Sequence, residues 1–262
     1  NCFAIKNFII QHNSSSRSGN FGFFSGIKAV AIPVEDTGIH GHGYAHTLDG
    51  EVISERDNHT AEGIGPHAHD SNIIIYKPAV LRNITFRDFS FDVSSFDKKW
   101  GSGGIIGAAD TPQRPEPNYN KLNVLIENVT VIANKDSSIS SITSITSTKV
   151  GILCGSSRGC IFRNCDIIVS GMFAVNAKND VAFGGISGQI KYSVIERCSV
   201  NLIGCHVDVH TTATARVGLL TGEYTKWPGK WKNDCEILNN IVLLKDAVYN
   251  ANSGVKTEFN AF

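Results

Sequence analysis

The apolar positions follow a period of two over short runs, and those runs recur in a fixed order. One box of apolar residues between glycines appears five times: Phe21-Gly-Phe-Phe-Ser-Gly26, Gly103-Gly-Ile-Ile-Gly107, Val150-Gly-Ile-Leu-Cys-Gly155, Phe183-Gly-Gly-Ile-Ser-Gly188 and Val217-Gly-Leu-Leu-Thr-Gly222. A second box alternates with it: Val80-Leu-Arg-Asn-Ile-Thr-Phe86, Leu125-Ile-Glu-Asn-Val-Thr-Val131, Ile161-Phe-Arg-Asn-Cys-Asp-Ile167, Val194-Ile-Glu-Arg-Cys-Ser-Val200 and Glu236-Ile-Leu-Asn-Asn-Ile-Val242. Self-similarity of this kind is the signature of a solenoid. Apolar residues fill the second, fifth and seventh places of the second box in nearly every copy. The fifth and seventh share one face of a strand. Asn stands fourth in four of five copies, where it serves as a corner that tolerates left-handed backbone. One such unit cannot bury its apolar face alone; stacked about 4.8 Å apart, successive units close a continuous core and place the asparagines in a column. Cys165 and Cys198 should be neighbours in one inward column. Glycine in the first box removes the Cβ where the chain turns sharply or meets the next coil closely.

The segments between boxes set the topology. Those from an Asn box to the next glycine box, 87–102, 132–149, 168–182 and 201–216, are all near 16 residues. In the other direction they vary from 27–79 and 108–124 to 156–160, 189–193 and 223–235. Large insertions therefore leave at one corner and gather along one edge, where loops on a rigid scaffold carry function. The expectation is an all-β fold: a single-stranded right-handed parallel β-helix, or β-solenoid, of about five coils over residues 1–262 as one domain. It has a His/Gly-rich insertion at 27–78 and a polar C-terminal tail at 249–262. The last Asn box is expected to lose register at Asn239-Asn240.

The run Val150–Ile167 resembles the GLUG repeat of surface and secreted proteins, and Phe183–Val200 repeats it with Arg197 in place of Asn. More broadly, residues 79–245 resemble the right-handed parallel β-helices of the pectin-lyase-like superfamily. The resemblance implies an elongated solenoid at an extracellular, cell-surface or virion-surface location. It fixes fold more than activity.

Composition narrows the classes. Of 262 residues, 42% are hydrophobic and 18% charged, with Lys+Arg 24 against Asp+Glu 24. This is a core-forming chain with no net field for nucleic acid or anionic lipid, and it has no apolar run long enough to insert in a membrane as a helix. The seven cysteines leave at least one thiol outside any intramolecular pairing. Disulfides between Cys165 and Cys198, or Cys154 and Cys160, are alternatives to free core thiols. Sequons at Asn13, Asn58, Asn83 and Asn128 are glycan acceptors if the chain is secreted, although chance accounts for them almost as well.

Three groups carry candidate chemistry. Asp88, Asp92, Asp97, Lys98, Asp110 and Arg114 supply the carboxylates and bases that lyase or glycosidase chemistry needs, with Ca²⁺ as a lyase cofactor; exposed charge on strand ends is the plainer reading. Tyr119, Tyr224, Trp227 and Trp231 lie in insertions and offer ring faces to sugars, or pack on neighbouring loops. His40, His42, His67 and His69 alternate beside Asp70 and could share Zn²⁺, against which stand the flexible glycines and the lack of a zinc-enzyme spacing. The favoured expectation is a non-enzymatic structural or adhesive surface, filament or appendage component that presents loops to glycans or neighbouring subunits and associates with itself. A polysaccharide lyase or glycoside hydrolase is the alternative, and a metal-binding surface protein the third.

Overall fold

The computed structural model describes residues 3–11, 19–33, 44–46, 52–55, 74–92, 101–111, 122–140, 147–225 and 235–260. No helix occurs among them, and strands stack in parallel as a solenoid that does not close into a barrel. Three sheets form the stack: sheet I of thirteen strands, sheet II of six and sheet III of five. One turn of the chain shows the plan. Thr148–Gly151 lies in sheet II and Cys154–Arg158 in sheet III; Cys160–Arg163, Asp166–Val169 and Met172–Ala177 then form three successive faces of sheet I, and Val181–Gly184 returns to sheet II. The two GLUG-like segments are consecutive rungs, in register from Cys154↔Ser187 to Val169↔Leu202.

The Asn box folds as its pattern dictates. Its second, fifth and seventh residues point inward: Ile126, Phe162 and Ile195 form one column, Val129, Cys165 and Cys198 the next, Val131, Ile167 and Val200 the third, all at most 2% exposed. The corner between the first and second columns is turned in left-handed backbone by Asn83, Asn128, Asn164, Arg197 and Asn239, with φ between 50° and 58°. Asn is the residue type that occupies this region at least cost after glycine. The asparagines also bond in a ladder: Asn128 Nδ2 donates to Asn83 Oδ1 at 3.0 Å, Asn164 Nδ2 to Asn128 Oδ1 at 3.2 Å, and Arg197 Nε to Asn164 Oδ1 at 3.0 Å. A second left-handed corner, at Asn7, Asp88, Gly204 and Asp246, divides the second face of sheet I from the third.

Register holds through Asn239-Asn240, contrary to the sequence expectation. Glu236–Leu238 pairs with Val194–Glu196 and Ile241–Lys245 with Ser199–Ile203. Asn240 takes the place of Cys198 in the inward column; its amide oxygen accepts from the Cys198 N–H at 2.7 Å and its Nδ2 donates to the Ile195 carbonyl at 2.9 Å. The polar stretch expected as a tail carries two more strands of the stack, Val248–Ser253 and Lys256–Asn260, paired to His206–Thr211 and Thr214–Gly218. At the other end Phe3–Gln11 pairs with Ile84–Asp92 as a rung of sheet I. Six levels at about 4.8 Å span roughly 24 Å, a short stack rather than a long rod.

The insertion that begins near residue 27 contains two antiparallel pairs, Val30–Pro33 with Ile74–Lys77 and Tyr44–His46 with Val52–Glu55. It leaves from the end of the sheet III strand Phe24–Lys28, and the other two insertions leave from the equivalent strands Ile106–Asp110 and Thr221–Thr225. Each returns at the start of an Asn-box strand, so all three share one corner of the coil. Cys154, Cys160, Cys165, Cys198 and Cys205 are buried free thiols, and Cys235 is half-buried. Cys165 and Cys198 are adjacent, with the Cys165 N–H donating to Cys198 Sγ at 3.4 Å, so the disulfide alternatives give way to core thiols.

Candidate functional site

The glycine box does more than turn the chain. Its first glycine is outward on sheet II, yet a Cβ on Gly151 would lie 2.0 Å from the Cys154 carbonyl oxygen, and one on Gly188 would lie 2.5 Å from the Val150 nitrogen. The outer faces of sheets II and III therefore fold toward each other. Ile152, Leu153, Ile186 and Leu220 are driven as a wedge into the core, at most 4% exposed. A V-shaped groove results outside, with glycines at its apex and parallel to the stacking direction. Gly107, Gly155, Gly188 and Gly222 share one apex column, and Ser25, not Gly26, occupies that place in the first copy.

The groove has a volume of about 260 Å³. On its sheet III wall, Lys28, Asp110, Arg158 and Lys191 form one column, each one rung from the next. Ser156 and Gln189 stand beside that column, and Lys149 and Ser147 line the sheet II wall. Arg158 grips Asp110 with two bonds, Nε to Oδ1 at 2.6 Å and Nη2 to Oδ2 at 3.0 Å. Lys149 Nζ donates to Ser147 Oγ at 3.0 Å. Burial holds the Lys149 ammonium below its ordinary pKa; Glu223 partly offsets this, and the like charge of Lys191 adds to it. Glu223 accepts a bond from Gln189 Nε2 at 2.9 Å one rung on. Chemically, the described residues of the groove offer several fixed donors and one lining carboxylate, already neutralised by a guanidinium.

The three candidate catalytic residues that the structure describes are dispersed. Asp110 is in the groove, Asp88 forms a left-handed corner of sheet I, and Asp92 ends the strand Ala79–Asp92. Asp97, Lys98 and Arg114 lie outside the described residues. Of the aromatic platform, Tyr224 is 41% exposed on the sheet III strand Thr221–Thr225, in register with the buried Ile190, so it continues an inward column rather than an outer surface. Tyr119, Trp227 and Trp231 lie outside the described residues. So do His40, His42, His67, His69 and Asp70, and Asn13 and Asn58. Asn83 and Asn128 are members of the corner ladder, in which the Asn128 amide nitrogen is already bonded. The groove cations Lys28, Lys149, Arg158 and Lys191 are absent from the sequence-based candidates. The three on sheet III left a signal: the third residue after the apex position, Lys28, Asp110, Arg158 or Lys191, is charged in four of five copies.

Compared with known proteins, the chain matches no family model, no curated protein and no solved structure.

Proposed function

We propose that the protein is a non-enzymatic structural or adhesive β-solenoid of an extracellular surface, filament or appendage, related to GLUG-repeat proteins and to the right-handed pectin-lyase-like helices, and that it presents its loops to glycans or neighbouring subunits. The observation that carries this reading is how the outer polar side chains are used. They bond from rung to rung: the asparagine ladder, Arg163 with Glu196 at 2.5 Å and Glu127 at 3.6 Å, Arg158 with Asp110, Ser199 with Asp166 at 2.6 Å, and Arg216 with Glu258 at 3.0 Å. Single exposed ion pairs stabilise little. Repeated along a stack, they fix each rung against the next and hold three insertions in order along one edge, which suits presentation. A short stack also gains length by association, and the outermost rung offers Ile241, Leu243 and Val248, 45–67% exposed, to whatever packs beside it.

Particle images of the native material, together with binding to immobilised glycans, test the proposal. Ordered assemblies, or glycan retention that is lost when the aromatic insertion 226–234 is replaced by a short glycine linker, are the expected results. Dispersed monomers that cleave a polysaccharide would instead establish the lyase or hydrolase alternative.

A further inference from the structure

We infer that the groove between sheets II and III is a binding site for oxyanions, that is, for carboxylate, sulfate or phosphate groups carried by a ligand. The inference concerns the scaffold itself, not the insertions, and it does not depend on assembly or on the presenting role of the loops. Its basis is a juxtaposition. Lys149 on one wall and Lys191 on the other are half-buried like charges lining the same cleft, and Arg158 stands beside Lys191 in the adjacent rung. Among the described residues Lys191 makes no ion pair, and Asp110 is the only carboxylate lining the groove. Two ammonium groups crowded into a cleft repel, and an oxyanion seated between them relieves that repulsion while accepting charge-assisted bonds. Ser156 and Gln189 add neutral donors at the same depth. Among the described residues no aromatic ring lines the cleft, which disfavours the stacked bases of a single-stranded nucleic acid.

Asp110 gives the site a distinctive response. Its carboxylate occupies Arg158 through both oxygens and so competes with any incoming anion. Removing its charge should free the guanidinium and strengthen binding, whereas a purely structural ion pair would leave anion affinity unmoved.

The test is titration calorimetry at low ionic strength on the full chain with inorganic sulfate, inorganic phosphate, a sulfated oligosaccharide and a uronate oligosaccharide. Lys191→Gln and Lys149→Gln should each weaken binding about tenfold, the usual worth of one bond to a charged group. Asp110→Asn should tighten it severalfold, and Lys245→Gln on sheet I should leave it unchanged. Circular dichroism confirms that each variant is folded; should Lys149→Gln fail to fold, Lys191→Gln and Asp110→Asn decide. Binding of the free ions with these responses supports the site with a small anion as its ligand; binding confined to the oligosaccharides, with the same responses, supports it with a polymer. Absence of binding for all four probes, indifference to Lys191→Gln, or weaker binding in Asp110→Asn would overturn the inference.

Discussion

Substituting Gly188 by Ala isolates the steric requirement of the groove apex. The new Cβ would lie 2.5 Å from the Val150 nitrogen and 2.7 Å from the carbonyl oxygens of Gly155 and Val150. All three are backbone atoms, so no side chain can swing aside and the two sheets must part. Gly188 does not occupy the left-handed region, so backbone strain is not the cost. Alanine would in fact gain about 0.4–1 kcal/mol by restricting the unfolded chain. Overpacking typically costs about 1–3 kcal/mol, and contacts this short against three backbone atoms belong at the upper end, which leaves a net loss of about 2 kcal/mol. For a domain of this size that corresponds to a drop of about 4–8 °C in melting temperature. The comparison is Gly26→Ala. Gly26 closes the first box in the sequence, but the structure places it one residue past the apex column, and its Cβ would meet nothing closer than the Ala108 carbonyl at 3.7 Å. Gly26→Ala should be neutral or stabilising, while Gly107→Ala, 2.6 Å from the Phe21 nitrogen, should behave like Gly188→Ala. Thermal melts followed by far-UV circular dichroism measure all three. Should Gly188→Ala melt at or above the parent, or Gly26→Ala fall with it, the folded-back arrangement of sheets II and III would be refuted.

Asn164→Ala should cost about 2–3 kcal/mol, because it leaves at φ 50° a Cβ residue without the short polar side chain that eases left-handed backbone, and it removes the middle of the ladder; Asn164→Gly should recover part of that loss in the same melts. Burial pushes the Cys154 and Cys205 thiols from an ordinary 9.0 up to about 12. Their raised folded-state values mean that the stability tied to the neutral thiols is fully present below about pH 9 and is lost as pH climbs toward 12, which urea melts across that range will show. The same two thiols should resist a thiol-specific reagent at pH 8 until the chain is unfolded, and prompt native-state labelling would count against their burial. In a glycosylating host, Asn83 and Asn128 should remain unmodified by mass spectrometry, since a glycan on the Asn128 amide would displace its bond to Asn83.

Some of this molecule was legible in its residues. The inward columns and the asparagine corner could be read because one residue type recurs at one place, and the physics that selects it, a left-handed turn with an amide able to bond its neighbour, is local. The second corner was not legible, because Asn7, Asp88, Gly204 and Asp246 satisfy the same backbone demand with three residue types. Asn240 misled for a related reason. An amide in an apolar column reads as lost register, and only its two backbone partners show how it is satisfied. The groove escaped notice because its walls come from two sheets, and the direction in which the glycine corner bends, inward instead of outward, depends on packing between rungs. Of the three proposed catalytic residues that the structure describes, Asp88, Asp92 and Asp110, only Asp110 lines this cleft.

The equality of successive rungs also has a genetic consequence. Cys165 and Cys198 are 33 residues apart and adjacent in space, so an in-frame duplication of those 33 codons would insert one whole turn, lengthen the asparagine column and extend the cleft by one step, while leaving every existing neighbour relation intact on either side. A duplication of half that length would put sheet III residues where sheet I needs them. The unit of heritable change this molecule tolerates best is therefore a complete circuit of the chain, and its dimensions can evolve by counting turns without redesigning any of them.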